Sequence, residues 1–140
     1  MGHQLVDFRI TYQYWQKAQI VREGNYKPRY HILLKDNAKK ILDFSTENTI
    51  LSNETIGGML YMDRVEGEYL TEGYVKPNSR LNPTKDVPSF VKLLDKGNAT
   101  FLEKSSQSMK VEFKGSKLKG IFSFTNVNDF WTIKRVNSKE

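Results

Sequence analysis

The sequence has 140 residues, no cysteine, 12% aromatic residues and a formal net charge of +6. This length suits one domain with a single core, and the lack of cysteine excludes disulfides and cysteine-ligated zinc. No apolar run is long enough to span a membrane and the first residues lack a signal-peptide pattern, so we expect one cytoplasmic domain over residues 1–140, without a membrane partner.

The N-terminal segment, residues 8–21, fits two structures. Ile10, Tyr14 and Ala18 are spaced four apart, as on a helix, whereas the Thr, Tyr and Ile content favours a strand, and both alternatives stay open. Farther along, residues 30–35 and 40–44 flank a segment that starts with Asp36 and Asn37, which tolerate the backbone angles of tight turns. This pattern predicts a hairpin.

The remaining chain reads as short strands joined by turns. Gly57 and Gly58 lack the Lys and Ser or Thr of a phosphate-binding loop and predict a bend or bulge. Residues 76–89 hold three of the four prolines and predict one long loop. Two more hairpins are expected, residues 90–94 with 99–102 and residues 109–113 with 118–124, and a final strand, 130–136, would close the sheet.

The strand pattern predicts the fold class. Met109, Val111 and Phe113 alternate with charged residues, which is typical of a strand with one buried face. Turn signals about every ten residues favour a barrel, in which closure removes exposed sheet edges. We therefore expect a mainly β protein: a small closed or partly closed antiparallel β-barrel with short or no helices.

Several segments resemble a known family. The resembling residues are Val91-Lys92-Leu93-Leu94-Asp95-Lys96-Gly97, Phe101-Leu102-Glu103, Val111-Glu112-Phe113-Lys114-Gly115-Ser116-Lys117-Leu118-Lys119-Gly120, Trp131-Thr132-Ile133-Lys134-Arg135, and upstream Glu68-Tyr69, Glu72-Gly73 and Pro77. In these segments the chain resembles the 3′-phosphoesterase domain of bacterial and archaeal DNA ligase D. The likeness covers residues 19–136 and leaves residues 1–18 as an N-terminal extension. It implies a small β-barrel that trims 3′ phosphate and ribonucleotide ends during double-strand-break repair with a manganese ion.

The family's catalytic positions are mostly replaced. In chain order, the family's first His, second His, Asp, Arg, third His and Tyr correspond here to Asn25, His31, Leu33, Lys35, Val65 and Tyr69. Leu33 and Val65 can neither bind a metal nor transfer a proton. The resemblance therefore implies a degenerate site with His31 as the sole aligned metal ligand, with His31, Lys35 and Tyr69 as remnant catalytic candidates, and with no cofactor expected; manganese would be the metal if activity remained.

Basic and aromatic residues offer a further prediction. The expected nucleic-acid-binding residues are Arg29, Lys35, Lys39, Lys40, Lys114, Lys117 and Lys119, with Lys134 and Arg135 as possible additions. The aromatic residues considered as stacking surfaces for unpaired bases are Tyr12, Tyr14, Trp15, Tyr26 and Tyr30. Each set competes with a plainer interpretation, since basic turns confer solubility and aromatic residues fill cores.

Three functional hypotheses follow. The leading one is a nucleic-acid-binding or docking module in DNA repair, which binds DNA ends or a repair protein and is not expected to be an enzyme. The second is an active manganese-dependent 3′-phosphoesterase with relocated ligands. The acidic residues available for such relocation are Asp36, Asp43, Asp63, Glu66 and Glu68. The third is a lipocalin-like barrel, which predicts a large apolar internal cavity.

Overall fold

The computed structural model describes residues 4–16 and 27–136. These residues contain nine strands and a single helical turn, and no helix among them is long and apolar enough to span a membrane. The elements are β1 (Gln4–Trp15), β2 (Arg29–Lys35), β3 (Ile41–Thr46), β4 (Thr55–Tyr61), α1 (Glu66–Tyr69), β5 (Gly73–Val75), β6 (Ser89–Lys104), β7 (Ser108–Gly115), β8 (Lys119–Val127) and β9 (Phe130–Val136). The expected mainly β fold is confirmed.

Eight of the strands close a barrel. Their order is β1-β2-β3-β4-β9-β8-β7-β6, and the ring closes through pairing of β6 with β1. β5 pairs with the first three residues of β6, outside the ring. Every strand pair is antiparallel. β1 pairs with β6 along its whole length, from Gln4 opposite Phe101 to Trp15 opposite Ser89. The segment that fitted both a helix and a strand is thus a strand as far as Trp15, and the barrel includes residues upstream of those that carry the resemblance.

The barrel interior is filled by side chains. Phe44 packs against Phe124 and Trp131, with ring centroids 4.9 and 5.4 Å apart, and Phe8 meets Phe113 edge to face at 5.0 Å. All five rings are almost completely buried. Burying each such side chain contributes about 1.5–3 kcal/mol, so this core is the main source of stability. A packed interior gives no support to the lipocalin-like hypothesis.

Two of the predicted hairpins form and one does not. β2 and β3 pair across the turn at Asp36, and β7 and β8 pair across the turn after Gly115. The predicted hairpin of residues 90–94 with 99–102 is wrong, because both segments belong to the continuous strand β6. The supposed turn is held extended from both sides: Asp95 lies opposite Ile10 of β1, and Gly97 pairs with both Phe8 and Gly115.

The bend or bulge predicted at the glycine pair is also wrong. Gly57 and Gly58 lie within β4, where they pair in regular register with Thr132 and Trp131 of β9. A Cβ atom on Gly58 would overlap the backbone carbonyl oxygen of Ser45 on β3. Glycine is therefore needed at position 58 for close approach of the neighbouring strand rather than for a turn.

An excursion of the chain between β4 and β6 covers part of the outer face of the barrel. Tyr69 of α1 packs with Leu33 and Ile41 in a small apolar cluster outside the main core. The long loop that follows is fixed by Asn82, whose buried side chain accepts a hydrogen bond from Trp15 Nε1 at 2.9 Å. This covering segment, residues 62–88, forms the roof over the polar side chains of β1, β2 and β3.

Candidate functional site: an arginine pocket above His31

A pocket of about 290 Å³ opens between the covering segment and the outer face of β1 and β2. Its distinctive lining consists of three arginines, two aromatic residues and one histidine. These residues, which define the arginine pocket, are Arg29, Arg64, Arg80, Trp15, Tyr61 and His31. The carboxylate of Asp63 also lines the pocket and lies 3.7 Å from Arg80 Nη2. Three guanidinium groups in one concave site suit an anionic ligand, because arginine presents planar, always charged donors.

The floor of the pocket is a buried hydrogen-bonded network. His31 Nδ1 lies 2.9 Å from Asp43 Oδ1, and His31 Nε2 lies 2.9 Å from Gln13 Oε1. The Gln13 amide nitrogen donates to the Leu81 carbonyl at 2.7 Å, so the Gln13 oxygen is left to accept from the imidazole. Both ring nitrogens of His31 therefore face side-chain oxygens, which fix the orientation of the ring.

Asp43 has two side-chain partners, His31 and Arg64. Its second oxygen accepts a hydrogen bond from Arg64 Nε at 2.8 Å. Complete burial would by itself raise the pKa of Asp43, but the charge and hydrogen bond of His31, together with those of Arg64, outweigh burial and lower the pKa below its ordinary value of 3.8. One carboxylate thus joins His31 in the floor of the pocket to the Arg64 guanidinium of the covering segment.

The outer rim carries Arg80. Its Nε donates to Glu68 Oε2 at 2.6 Å, and its Nη2 donates to Glu68 Oε1 at 3.2 Å and to the Asp63 carbonyl. Burial raises the pKa of Glu68, but the hydrogen bonds from Arg80 and from the Val65 amide, with the charges of Arg80 and Arg64, lower it overall. This pair holds the loop against α1 and positions Arg80 at the entrance.

Arg29 differs from the other two arginines. No carboxylate of the described residues lies within ion-pair distance of it, and its buried Nε atom has no hydrogen-bond partner there. Its Nη1 is 3.5 Å from the Ser45 hydroxyl, and its guanidinium lies 5.8 Å from the centre of the Trp15 ring. A half-buried cation without a counter-charge is costly unless a ligand supplies one.

The remnant catalytic candidates do not form one site. Lys35 lies over the Tyr69 ring, with Nζ 4.9 Å from its centre, and Nζ is 3.5 Å from Glu66 Oε2. His31 is four residues earlier on the same strand, about 13 Å away along the backbone, and is enclosed by Gln13 and Asp43. Lys35 and Tyr69 therefore meet, whereas His31 belongs to the arginine pocket.

The predicted basic residues divide between two places. Lys35, Asp7, Asn98, Lys114 and Lys119 are successive cross-strand neighbours in one row over β2, β1, β6, β7 and β8. The two predicted groups of lysines thus reach the same end of the barrel, with Lys39 and Lys40 in one turn and Lys117 in the other. Arg29, at the opposite end of β2, is separated from them.

The residues present do not fit the manganese centre of the family that the chain resembles. Leu33 is packed in the apolar cluster with Ile41 and Tyr69, and Val65 is exposed at the start of α1. Asn25 lies outside the described residues, as does Tyr26. Among the residues that are described, no group of three or more His, Cys, Asp or Glu side chains could hold a metal ion.

The acids suggested as relocated ligands have other partners. Asp43 is bound by His31 and Arg64, and Glu68 is bound by Arg80. Glu66 lies 3.5 Å from Lys35, and Asp36 accepts a hydrogen bond from the backbone of Lys40 within the hairpin turn. Asp63 lies 3.7 Å from Arg80. These carboxylates therefore pair with nearby basic groups or backbone amides, and no three of them in the described part of the chain form a metal site.

Sequence reasoning missed Arg64, Arg80 and Gln13. Arg64 and Arg80 stand in irregular segments whose path over the barrel no periodicity reveals, and Gln13 looked like one polar residue in a strand. The sequence did carry one signal for this site. The polar side chains of Thr11, Gln13 and His31 alternate with apolar ones on the paired strands β1 and β2, which indicates a polar outer face that another part of the chain can cover. No protein-family model and no curated protein matches the chain.

Proposed function

We propose that this chain binds the phosphorylated end of a nucleic acid, with the terminal phosphate in the arginine pocket, and that it serves as a binding or docking module. The observation that carries this proposal is Arg29, a half-buried guanidinium without a carboxylate partner among the described residues. A phosphate oxygen is a suitable counter-charge, because arginine and phosphate form short, charge-assisted hydrogen bonds.

The surroundings of Arg29 support an anionic ligand. Arg64 uses its Nε on Asp43, and the hydrogen bonds found for its side chain leave the two terminal nitrogens available. Trp15 and Tyr61 flank the pocket, and Arg29 and Arg64 lie 5.8 and 5.2 Å from the centres of their rings. Aromatic walls lower the local dielectric constant and strengthen the attraction between guanidinium and phosphate.

A nucleic acid is favoured over a free small anion by the charge of the whole chain. The net charge of +6 provides long-range attraction for a polyanion. The row of lysines at the far end of the barrel offers a second place for backbone phosphates. The setting in DNA repair comes from the sequence resemblance, and a repair-protein partner is compatible with the same pocket if that partner carries the phosphate.

The test compares blunt duplexes that end in a 3′ phosphate, a 5′ phosphate or hydroxyls at both positions, by fluorescence anisotropy over a series of salt concentrations. We expect tighter binding of one phosphorylated end. Arg29→Gln should remove that preference, since a hydrogen bond to a charged group contributes about 1.5–3 kcal/mol, or roughly 10- to 100-fold in affinity. The hydroxyl-ended duplex should bind both proteins alike.

The matched control is Lys117→Gln, which removes one positive charge at the other end of the barrel. We expect it to lower the salt dependence slightly, because each phosphate contact contributes a slope of about 0.9, and to leave the end preference intact. Equal affinity for all three duplexes would refute the proposal, and loss of end preference in Lys117→Gln alone would place the site at the lysine turns.

A further inference from the structure

Five aromatic side chains form a contiguous row across four neighbouring strands, and within it Tyr14 is in stacked contact with both Tyr12 and Phe90. Tyr12 is opposite Tyr30, Tyr14 is opposite Phe90, and Phe90 is opposite Tyr74. The centroids of successive rings are 4.8 Å apart for Tyr12 and Tyr30, 5.7 Å for Tyr12 and Tyr14, 5.6 Å for Tyr14 and Phe90, and 5.9 Å for Phe90 and Tyr74. These five residues, Tyr12, Tyr14, Tyr30, Phe90 and Tyr74, form the aromatic strip.

The aromatic strip is not part of the core. By strand alternation it shares a face with Ile10 and Ile32, which are fully buried, but it lies beyond them toward the end of the barrel. Tyr14 is 39% exposed and Tyr74 is 59% exposed. Large aromatic side chains left accessible in a contiguous row mark a binding surface more often than scattered exposed residues do.

The aromatic strip is continuous with the arginine pocket. A depression of about 690 Å³ shares Arg29 and Tyr61 with the pocket. A further depression of about 360 Å³ shares Lys27 and Pro28 with that one and is lined by Tyr12 and Tyr30 of the strip. A single ligand can therefore pass from the guanidinium groups, around the start of β2, to the tyrosines.

The charges along this path suit a polyanion. Lys92 is exposed and pairs with Tyr12, and Lys27 lines both depressions. Glu47, which lines the same two depressions, is the opposing charge. Cations beside accessible aromatic rings are the combination by which proteins hold single-stranded nucleic acid, where the groove follows the phosphates and the rings stack on bases.

We propose that the aromatic strip binds the unpaired bases of a single-stranded segment that leads away from the phosphorylated end. The proposal rests on the proposed function, since the path begins at the arginine pocket, and it specifies the substrate as an end with a single-stranded tail. Stacking requires no particular base, because every base presents a flat aromatic face.

The experiment uses the full chain and four labelled DNA probes: a blunt duplex and a duplex with a single-stranded oligothymidine tail, each with and without the terminal phosphate. We expect the tail to strengthen binding. Tyr14→Leu, which keeps apolar bulk but removes the ring, and Tyr74→Ser, at a well exposed position, should each reduce the gain from the tail by at least about fivefold. Leu70→Ser, at an exposed apolar residue directly after α1, is the control and should leave the gain unchanged.

The outcomes separate the two proposals. A gain from the tail that Tyr14→Leu and Tyr74→Ser diminish, on probes with or without phosphate, supports the aromatic strip even if the terminal phosphate has no effect. Equal binding of tailed and blunt probes overturns it, whatever the phosphate does. A gain that both variants retain also overturns it, since the tail would then bind elsewhere, and a proline-rich peptide would become the next candidate occupant.

Discussion

His31 and Asp43 form a buried pair on the neighbouring strands β2 and β3, with 2.9 Å between the imidazole Nδ1 and the carboxylate Oδ1. His31 lies opposite Ser45 in the strand register, so the two side chains meet diagonally on the outer face. Arg64 reaches the same carboxylate from the covering segment. The hairpin, and not the barrel core, therefore fixes the floor of the arginine pocket and ties it to the roof.

Replacing Asp43 by Asn should destabilise the protein strongly. The change removes the carboxylate that is bound by both His31 and Arg64, and breaking a buried charge network in this way costs about 3–5 kcal/mol. Urea denaturation followed by tryptophan fluorescence measures the loss. The exposed Asp86→Asn is the control, and an equal, small effect in both variants would contradict the role of the network.

The pH dependence of stability should also change in Asp43→Asn. Because the folded protein lowers the pKa of Asp43 below the ordinary 3.8, the resulting stabilisation is present above about pH 4 and is lost as the pH falls through the folded value. Midpoints of urea unfolding between pH 2 and pH 6 test this. The native protein should lose stability more steeply below pH 4 than the variant, and parallel curves would refute the assignment.

Asn82→Ala should loosen the long loop. The buried Asn82 amide accepts from Trp15 Nε1 and donates to the carbonyls of Val75 and Val87, at 3.2 and 2.8 Å, so its loss leaves several buried polar groups unpaired. We expect faster tryptic cleavage after Arg80 or Lys85 and weaker binding of a phosphorylated end. Pro83→Ala, an exposed change in the same loop, should cleave at the native rate, and equal rates in all three proteins would contradict this anchoring role.

The barrel could be predicted from sequence because its signals are local. Alternating apolar residues identify β7 and β8, and the Asp36 turn identifies the first hairpin. The Asp95 to Asn98 segment misled the prediction, since Asp, Gly and Asn are typical turn residues. Only the pairing with β1 and β7, which is a non-local interaction, shows that these residues remain in a strand.

The arginine pocket could not be predicted because its parts come from distant segments. Arg29 begins β2, Arg64 follows β4 and Arg80 lies in the proline-rich loop, so their meeting depends on how residues 62–88 cross the barrel. The prediction grouped Arg29 with Lys35, Lys39 and Lys40 because they are close in sequence. Arg29 and Lys35 lie at opposite ends of β2, however, and a seven-residue strand is about 20 Å long.

Asp95 should be one of the most sensitive acidic positions. Its carboxylate accepts three backbone hydrogen bonds, from Ser116 at 3.1 Å, Lys117 at 3.0 Å and Leu118 at 2.7 Å. Asp95→Ala leaves these amides without partners and should cost roughly 3 kcal/mol or more, since each bond to a charged group contributes about 1.5–3 kcal/mol. Thermal unfolding monitored by circular dichroism measures this, and a shift of the midpoint below about 2 °C would contradict it.

Tyr69 should ionise at a higher pH than an ordinary tyrosine side chain. Burial, and then the negative charge of Asp7, raise its pKa to about 12, although Arg9 opposes the shift. Absorbance at 295 nm should therefore show a late tyrosine that is absent in Tyr69→Phe. Because the folded pKa lies above the ordinary value of 10.0, the associated stabilisation is complete below pH 10 and is lost between about pH 10 and 12. The free energy of unfolding of Tyr69→Phe should therefore fall less steeply with pH in this range than that of the native protein. Identical titrations of both proteins would contradict the shift.

Manganese should not convert this chain into a 3′-end-processing enzyme. His31 has both ring nitrogens engaged by Asp43 and Gln13, and the neighbouring aligned position, Leu33, offers no donor. With manganese and a duplex ending in a 3′ phosphate, we expect phosphate release at the rate of the protein-free blank. Because His31→Ala can disturb folding, the exposed Asp63→Asn and Glu66→Gln test relocated ligands independently. Release by the native protein that any of these variants abolishes would establish a rebuilt metal site and overturn the binding-module proposal.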